Sequence, residues 1–65
     1  MHLVINGQDQ DITCTTLAEL VSALKLDAQR LVAEVNGTIV ARENFGQTVL
    51  KDNDRLELVH FVGGG

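Results

Sequence analysis

Short apolar segments alternate with turn signals along this 65-residue chain and predict a few strands around one helix. Leu3 to Ile5 predicts a first strand, which runs directly into Asn6-Gly7. Asn-Gly is the strongest short hairpin signal, because both central positions of a type I′ turn require a positive φ. The return strand is expected over 10–14, with Ile12 and Cys14 on one face.

A single amphipathic helix is predicted to follow the hairpin. Thr16 and Glu19 have the spacing of a capping box, in which the threonine caps the helix and the glutamate reaches back. The next apolar residues recur at i, i+3, i+4 and i+7 and form one stripe, Leu17, Leu20, Val21 and Leu24. The helix is expected to end near Lys25, whose charge suits the C-terminal end of the helix dipole.

The second half of the chain predicts further strands. Leu31 to Val35 and Thr38 to Val40 flank a second Asn-Gly pair and are expected to form another hairpin. A stretch of mixed polarity follows, with Phe45 as its expected anchor, and Gln47 to Leu50 is a short candidate strand. Asp52 to Asp54 marks a turn, since Asn and Asp bond their own backbone and tolerate left-handed conformations.

The last strand is expected at Leu56 to Val62, which completes the order β-β-α-β-β-β. One helix covers only one face of such a sheet, so the compact solution places the first and last strands side by side in the middle. The pattern therefore predicts an α+β fold, the ubiquitin-like β-grasp, with a mixed sheet of about four or five strands packed on one helix. We expect one domain over residues 1–65, folded over 1–62 and with a flexible glycine tail at 63–65.

Charge narrows the possible partners. Nine acidic and five basic residues give a formal net charge of -4. This balance disfavours nucleic acid and anionic membrane surfaces, which are bound through basic patches. No apolar run approaches the roughly 20 residues of a membrane span, and no secretion signal is recognisable. We therefore expect a cytoplasmic protein that is monomeric when free.

Motifs for catalysis or metal binding are missing from the sequence, which has no P-loop, HExxH or GxSxG pattern. His2 and His60 are expected about 13 Å apart on neighbouring parallel strands, too far to share a metal. The single cysteine, Cys14, has the strand phase of Ile12, which favours a small packed hydrophobe over a reactive thiol. No catalytic residue, metal ligand or cofactor of its own is predicted for this chain.

The ending Gly63-Gly64-Gly65 is the most informative segment. Consecutive glycines pack nothing and lose much backbone entropy when they become ordered. A tail without Cβ atoms fits a narrow channel in another protein and can deliver its α-carboxylate to chemistry there. Joining that carboxylate to AMP would supply the leaving group that a sulfur nucleophile displaces. A frayed terminus without a task is the plainer alternative.

The strand phases also predict an exposed face. In the last strand, Leu56 and Leu58 have one phase and Glu57, Val59 and Phe61 have the other, so the two sets point to opposite sides of the sheet. Because one helix is available, one set must face outward, and we assign Val59 and Phe61 to that side together with Val4 from the neighbouring strand. Exposed apolar residues beside a functional tail predict a partner-docking surface. Packing of Phe61 against segment 41–46 is the alternative.

These residues resemble the ThiS-type sulfur carriers of thiamine biosynthesis over essentially the whole chain. The matching segments are the opening Leu3 to Gly7, Val35-Asn36-Gly37, Val40 with Arg42, Asp52 to Asp54, and the ending His60 to Gly65. The ending is the specific part, since the rest is shared loosely with other β-grasp proteins. Ala41 and Phe45 depart from the family, which often has proline and tryptophan there.

The resemblance implies a recycled carrier that is not itself an enzyme. An E1-like adenylating enzyme would convert Gly65 to an acyl-adenylate, with ATP and magnesium bound by that partner. Sulfur derived from cysteine through a desulfurase would then replace AMP and give a thiocarboxylate. Gly63 and Gly64 would thread the partner's active site. Thiazole synthase would take the sulfur to form the thiazole moiety of thiamine.

Two other functions remain open at this point. The small subunit of molybdopterin synthase has a similar fold and a glycine ending, although it is usually longer, and that reading would make this chain half of an enzyme. A ubiquitin-like interaction module with an inert tail is the third possibility. A pull-down that recovers thiazole synthase or the large molybdopterin synthase subunit would separate the first two.

Overall fold

The computed structural model describes residues 1–61. Within them, five strands form one mixed sheet in the order β2-β1-β5-β3-β4. The strands are β1 (His2–Ile5), β2 (Gln8–Asp11), β3 (Leu31–Val35), β4 (Thr38–Val40) and β5 (Asp54–His60). The helix α1 spans Leu17–Ala23, and short 3-10 helices occupy Ala28–Arg30 and Arg42–Gln47. β1 and β5 are parallel neighbours at the centre, as the ubiquitin-like β-grasp prediction requires.

The hydrophobic core lies between α1 and the inner face of the sheet. The helix contributes three buried residues of its apolar stripe, Leu17, Leu20 and Val21, while Leu24 is partly buried at its end. The three central strands contribute alternate residues, which are Leu3, Ile5, Leu31, Ala33, Leu56 and Leu58. Phe45 is also buried, which confirms it as the anchor of the segment after β4. No helix among residues 1–61 has the length and hydropathy to cross a bilayer.

Capping residues define both ends of α1. The Thr16 hydroxyl accepts a hydrogen bond from the Glu19 N–H at 3.2 Å, and the Glu19 carboxylate accepts from the Thr15 N–H at 2.6 Å. The predicted capping box is therefore present, with the glutamate bound to Thr15. At the other end Lys25 adopts a φ of 59°, and this left-handed residue stops the helix just after its C-cap, Leu24.

Three predicted strand boundaries are wrong. The return strand β2 covers Gln8–Asp11 and not 10–14, because a two-residue turn lets pairing resume directly after Gly7. Segment 47–50 is not a strand and makes only an isolated bridge, in which Val49 pairs with Thr16. β5 begins at Asp54 and ends at His60, two residues earlier at each end than the apolar pattern indicates.

Both hairpin turns use an asparagine side chain to hold β5. Asn6 and Asn36 each have a φ of 51°, as expected for Asn-Gly turns. The Asn6 side chain accepts from the Leu58 N–H at 2.8 Å and donates to the Leu58 carbonyl at 3.1 Å. The Asn36 side chain accepts from the Arg55 N–H at 3.0 Å and donates to the Asp54 carboxylate at 2.9 Å. The central strand is thereby fixed by the turns on both of its sides.

His2 links the start of β1 to β2 and to the turn that precedes β5. Its Nδ1 lies 2.8 Å from the Asn53 side-chain oxygen, and its Nε2 lies 2.7 Å from the Asp9 carboxylate. Its backbone N–H donates to the Asp52 carboxylate at 2.6 Å, so Asp52 serves the turn. Hydrogen bonding to Asn53 first, and to Asp9 second, raises the pKa of His2 above its ordinary value.

Replacing Leu20 by alanine should destabilise the fold strongly. Leu20 is fully buried, and a large-to-small change in a core costs about 2–5 kcal/mol. A urea titration should show this loss in the free energy of unfolding. Ser22→Ala, on the exposed side of the same helix, is the matched control and should change little. Equal midpoints for Leu20→Ala and the parent would mean that α1 packs through another face.

Stability should also depend on pH through His2. Because its folded pKa is raised, the protonated ring contributes stability that is fully present below its ordinary pKa of 6.5. That contribution is lost as the pH rises through the folded pKa. Thermal melts of the parent and His2→Gln between about pH 5 and 8.5 should therefore differ most at the acidic end. A difference that grew with pH would contradict this sign.

Candidate partner-docking face

The face of the sheet opposite α1 carries a group of exposed apolar side chains. Val59 on β5 is 53% exposed, and Phe61, the first residue after β5, is 57% exposed. Val32 lies opposite Val59 in the antiparallel β3–β5 pair, and Ile39 on β4 is 67% exposed. Residues opposite one another in antiparallel strands share a face. Val32, Ile39, Val59 and Phe61 together are called the apolar patch below.

The structure places two of the three predicted docking residues in this patch. Val59 and Phe61 are both exposed, whereas Leu58, the residue before Val59, points into the core. Val4 is partly buried and lies opposite Arg55, four residues before Val59 along β5. Val4 therefore occupies the outer face but does not extend the apolar patch.

Sequence reasoning missed Val32 and Ile39. Val32 lies in the continuous apolar run Leu31 to Ala33, which hides the alternation between the two faces of β3. Only the register, in which Val32 pairs with Val59, shows that it points outward. Ile39 occupies the middle of a three-residue strand, too short for its alternation to be recognised.

Two glutamates border the apolar patch. Glu34 and Glu57 are direct cross-strand partners in the β3–β5 pair, and Glu34 also lies opposite Ile39 on β4. Like charges opposite one another on a sheet are unfavourable. The ion pairs found among residues 1–61 do not include either glutamate. The outer face thus combines apolar side chains with two carboxylates that form no ion pair within the described part of the chain.

The chain approaches its glycine ending from one corner of this face. Phe61 belongs to the apolar patch, and its backbone N–H donates to the Arg30 carbonyl at 2.7 Å. The predicted modification site Gly65 and the predicted threading residues Gly63 and Gly64 lie outside the described residues. The patch and the predicted reactive residue are therefore only four residues apart in sequence, between 61 and 65.

The two histidines and the single cysteine, the other candidate reactive groups, occupy positions with a structural role. His2 lies beside Asn53, which is seven residues before His60 along the chain. At the rise of a strand, the distance between His2 and His60 is therefore about 23 Å, and the expected distance of about 13 Å is wrong. Residues 1–61 contain no cluster of three or more His, Cys, Asp or Glu side chains placed to hold a metal. Cys14 packs against the core, as its strand phase predicts, and burial, followed by the Glu19 charge, raises the pKa of its thiol.

Comparison with known proteins extends over the whole chain. The ThiS family matches residues 3–65. The sulfur carrier protein ThiS of Bacillus subtilis is 36% identical over 65 residues, which cover 97% of this chain and 98% of the relative. The crystal structure of the thiamine biosynthesis protein (ThiS) from Geobacter metallireducens is similar with a TM-score of 0.84 and 38% identity, and the match covers 100% of both chains.

A second group of relatives is much longer. A thiazole synthase of Paramagnetospirillum magneticum is 36% identical over 66 residues, and one of Magnetococcus marinus is 35% identical over 66 residues. Each match covers 100% of this chain but only 20% of the relative, so the chain spans about a fifth of these proteins. A sequence of this type therefore also occurs within a larger polypeptide.

The family match includes all five strands, the helix and the glycine ending. The fold agrees with it independently, because the strand order and the single covering helix are those expected for the ubiquitin-like β-grasp. The chain belongs to the ThiS family of sulfur carrier proteins.

Proposed function

We propose that this chain carries sulfur for formation of the thiazole moiety of thiamine, with thiazole synthase as the acceptor. The observation that carries the pathway assignment is the complete overlap of this chain with part of two bacterial thiazole synthases. A domain that one organism joins to an enzyme commonly works with that enzyme where the two are separate. The full-length similarity to a Bacillus sulfur carrier supports the carrier role itself.

The chemistry we propose takes place on Gly65. Its α-carboxylate oxygen attacks the α-phosphorus of ATP in an E1-like adenylating partner, which releases pyrophosphate and forms an acyl-adenylate. A desulfurase takes sulfur from cysteine as a persulfide, a thiol reductant brings this sulfur to the oxidation level of sulfide and is itself oxidised to a disulfide, and the resulting sulfur nucleophile attacks the acyl carbon. The carbon–sulfur bond forms as the bond to AMP breaks, and the product is a thiocarboxylate. ATP and magnesium belong to the partner.

Glycine is the residue that this task requires before the reactive carboxylate. Gly63 and Gly64 carry no Cβ, so they can pass through a channel too narrow for other residues and adopt either sign of φ. Ordering such a tail costs backbone entropy, about 1–2 kcal/mol per residue, which only contacts inside a partner can repay. We therefore propose that these two glycines thread the active site of the partner.

The outer face offers the surface that would hold such a partner. The apolar patch supplies area that is buried on docking, and Glu34 with Glu57 supplies a site for a basic side chain of the partner. Both features lie beside the strand that leads to the tail. Docking there would place Gly65 within a few residues of the interface.

Phe61→Ala should weaken binding to the adenylating enzyme without unfolding the carrier. Phe61 is 57% exposed, so its removal should barely change the melting temperature, whereas loss of an aromatic anchor costs about 2 kcal/mol or more in binding. Val49→Ala is the matched control, because Val49 is 59% exposed but lies outside the apolar patch. Calorimetric titration and thermal melts measure both quantities. A large loss of stability, or equal weakening by the control, would remove Phe61 from the docking surface.

Conversion of Gly65 is tested by intact-mass spectrometry after incubation with ATP, the adenylating enzyme and a sulfur source. We expect the mass gain for replacement of one oxygen by sulfur, assigned to Gly65 by fragmentation. A chain extended by one residue after Gly65 should not be converted, because the reactive carboxylate is then displaced. Replacement of Gly64 by a bulky residue should also block conversion.

The Bacillus carrier, treated in parallel, controls for active reagents. If it is converted while this chain is not, an interaction module with an inert tail becomes the better description. The acceptor is tested separately by a pull-down with the thiocarboxylated chain. Recovery of the large subunit of molybdopterin synthase, and not of thiazole synthase, would assign the chain to that pathway.

A further inference from the structure

One short turn holds the residues that lead into the glycine tail. The Asp27 carboxylate accepts from the Gln29 N–H at 2.9 Å and so caps the 3-10 helix Ala28–Arg30. The Asp27 backbone N–H donates to His60 Nε2 at 3.1 Å. The carbonyl of Arg30, at the other end of the turn, accepts from the Phe61 N–H at 2.7 Å. Residues 60 and 61 are thus bound by the two ends of a single turn.

We infer that His60 is a positioning residue and that, with segment 27–30, it forms a clamp that sets the direction in which the glycine tail leaves the sheet. The pairing of β5 with β3 ends at His60 and Leu31, so regular strand contacts stop at this point. Among residues 1–61, the Phe61–Arg30 bond is the backbone contact nearest to the tail, and the His60 ring binds the turn that supplies it. The inference rests on the proposed function, since the tail needs a direction only if its terminus reacts.

The role of His60 depends on one ring nitrogen. Because a backbone N–H donates to Nε2, this atom must carry a lone pair, and the proton of the neutral ring is on Nδ1. A glutamine at this position can present its side-chain oxygen at a similar distance from the backbone. A leucine has comparable bulk but no acceptor, and it would leave the Asp27 N–H without its partner. His60→Gln should therefore keep the clamp, and His60→Leu should open it.

Segment 27–30 also has contacts of its own, and Ala28 packs against the core. The Arg30 guanidinium lies 3.8 Å from the Asp27 carboxylate, and both side chains are about half exposed. The turn thus supplies its own charge pairing, and among residues 1–61 its hydrogen bonds to the end of the chain are those to His60 and Phe61. Removing the His60 acceptor takes away one of these two links without touching the core.

Amide hydrogen exchange measured by NMR tests the clamp without any partner. The amides of Asp27 and Phe61 should be protected in the parent and in His60→Gln, and both should exchange faster in His60→Leu. His2→Leu is the matched control, since His2 lies about 23 Å from His60, at the other end of β5. It should leave these two amides unchanged. An unprotected Asp27 amide in the parent would overturn the clamp, and this result would not depend on the proposed carrier function.

Steady-state kinetics of pyrophosphate release by the adenylating enzyme, with the carrier as varied substrate, test the positioning role. His60→Leu leaves every side chain of the apolar patch in place, so KM should stay near the parental value. When the clamp opens, the backbone of about one more residue must be ordered before the tail reacts. We therefore expect kcat to fall about tenfold. His60→Gln should restore kcat, and His2→Leu should not lower it. If His60 had only a structural role, His60→Leu would lower the melting temperature but would leave kcat unchanged at temperatures where the variant is folded.

The outcomes separate this inference from the proposed function. Parental kcat in His60→Leu, with its Asp27 amide exposed, would overturn the positioning role and leave the carrier function intact. A loss of kcat that His60→Gln does not restore would also overturn it, because the acceptor atom would not be the cause. No adenylation of the parent, where the Bacillus carrier reacts, would overturn the proposed function and the positioning role with it.

Discussion

The parallel contact between β1 and β5 is the constraint on which the rest of the structure depends. These strands come from opposite ends of the chain and pair Leu3 with Asp54 and Ile5 with Leu56 at the centre of the sheet. Parallel neighbours cannot be joined by a tight turn, so the chain between them must cross over the sheet, and α1 is that crossover. One helix covers one face. The open outer face, where the apolar patch lies, is therefore a consequence of this pairing.

Most of the fold could be predicted because local signals agree with the global arrangement. The Asn-Gly turns, the Thr16 cap and the apolar stripe through Leu20 each indicate the element that forms. The failures have a common origin in elements whose positions are decided by distant partners. β2 is a polar edge strand defined by its pairing with β1, and the segment around Val49 is fixed by hydrogen bonds to the residues before α1. Neither contact has a signature in the local sequence.

The apolar patch was predictable only in part for a similar reason. Alternation along β5 is enough to place Val59 and Phe61 on one side, because Leu56 and Leu58, which precede them, have the opposite phase. The neighbours of Val59 depend on register, which the sequence does not encode locally: Val32 is opposite Val59, whereas Val4 is opposite Arg55. The contact between Asp27 and His60 was equally hidden, since it joins a turn to a strand end 33 residues away.

The two edges of the sheet differ in what they offer to a neighbouring molecule. β2 exposes Asp9 and Asp11, so pairing two copies along this edge would bring carboxylates together. β4 carries no charge and is protected mainly by its length of three residues. Crowded solutions should therefore associate first through β4. Exposed carboxylates thus protect the β2 edge from association, and the short length of the strand protects the β4 edge.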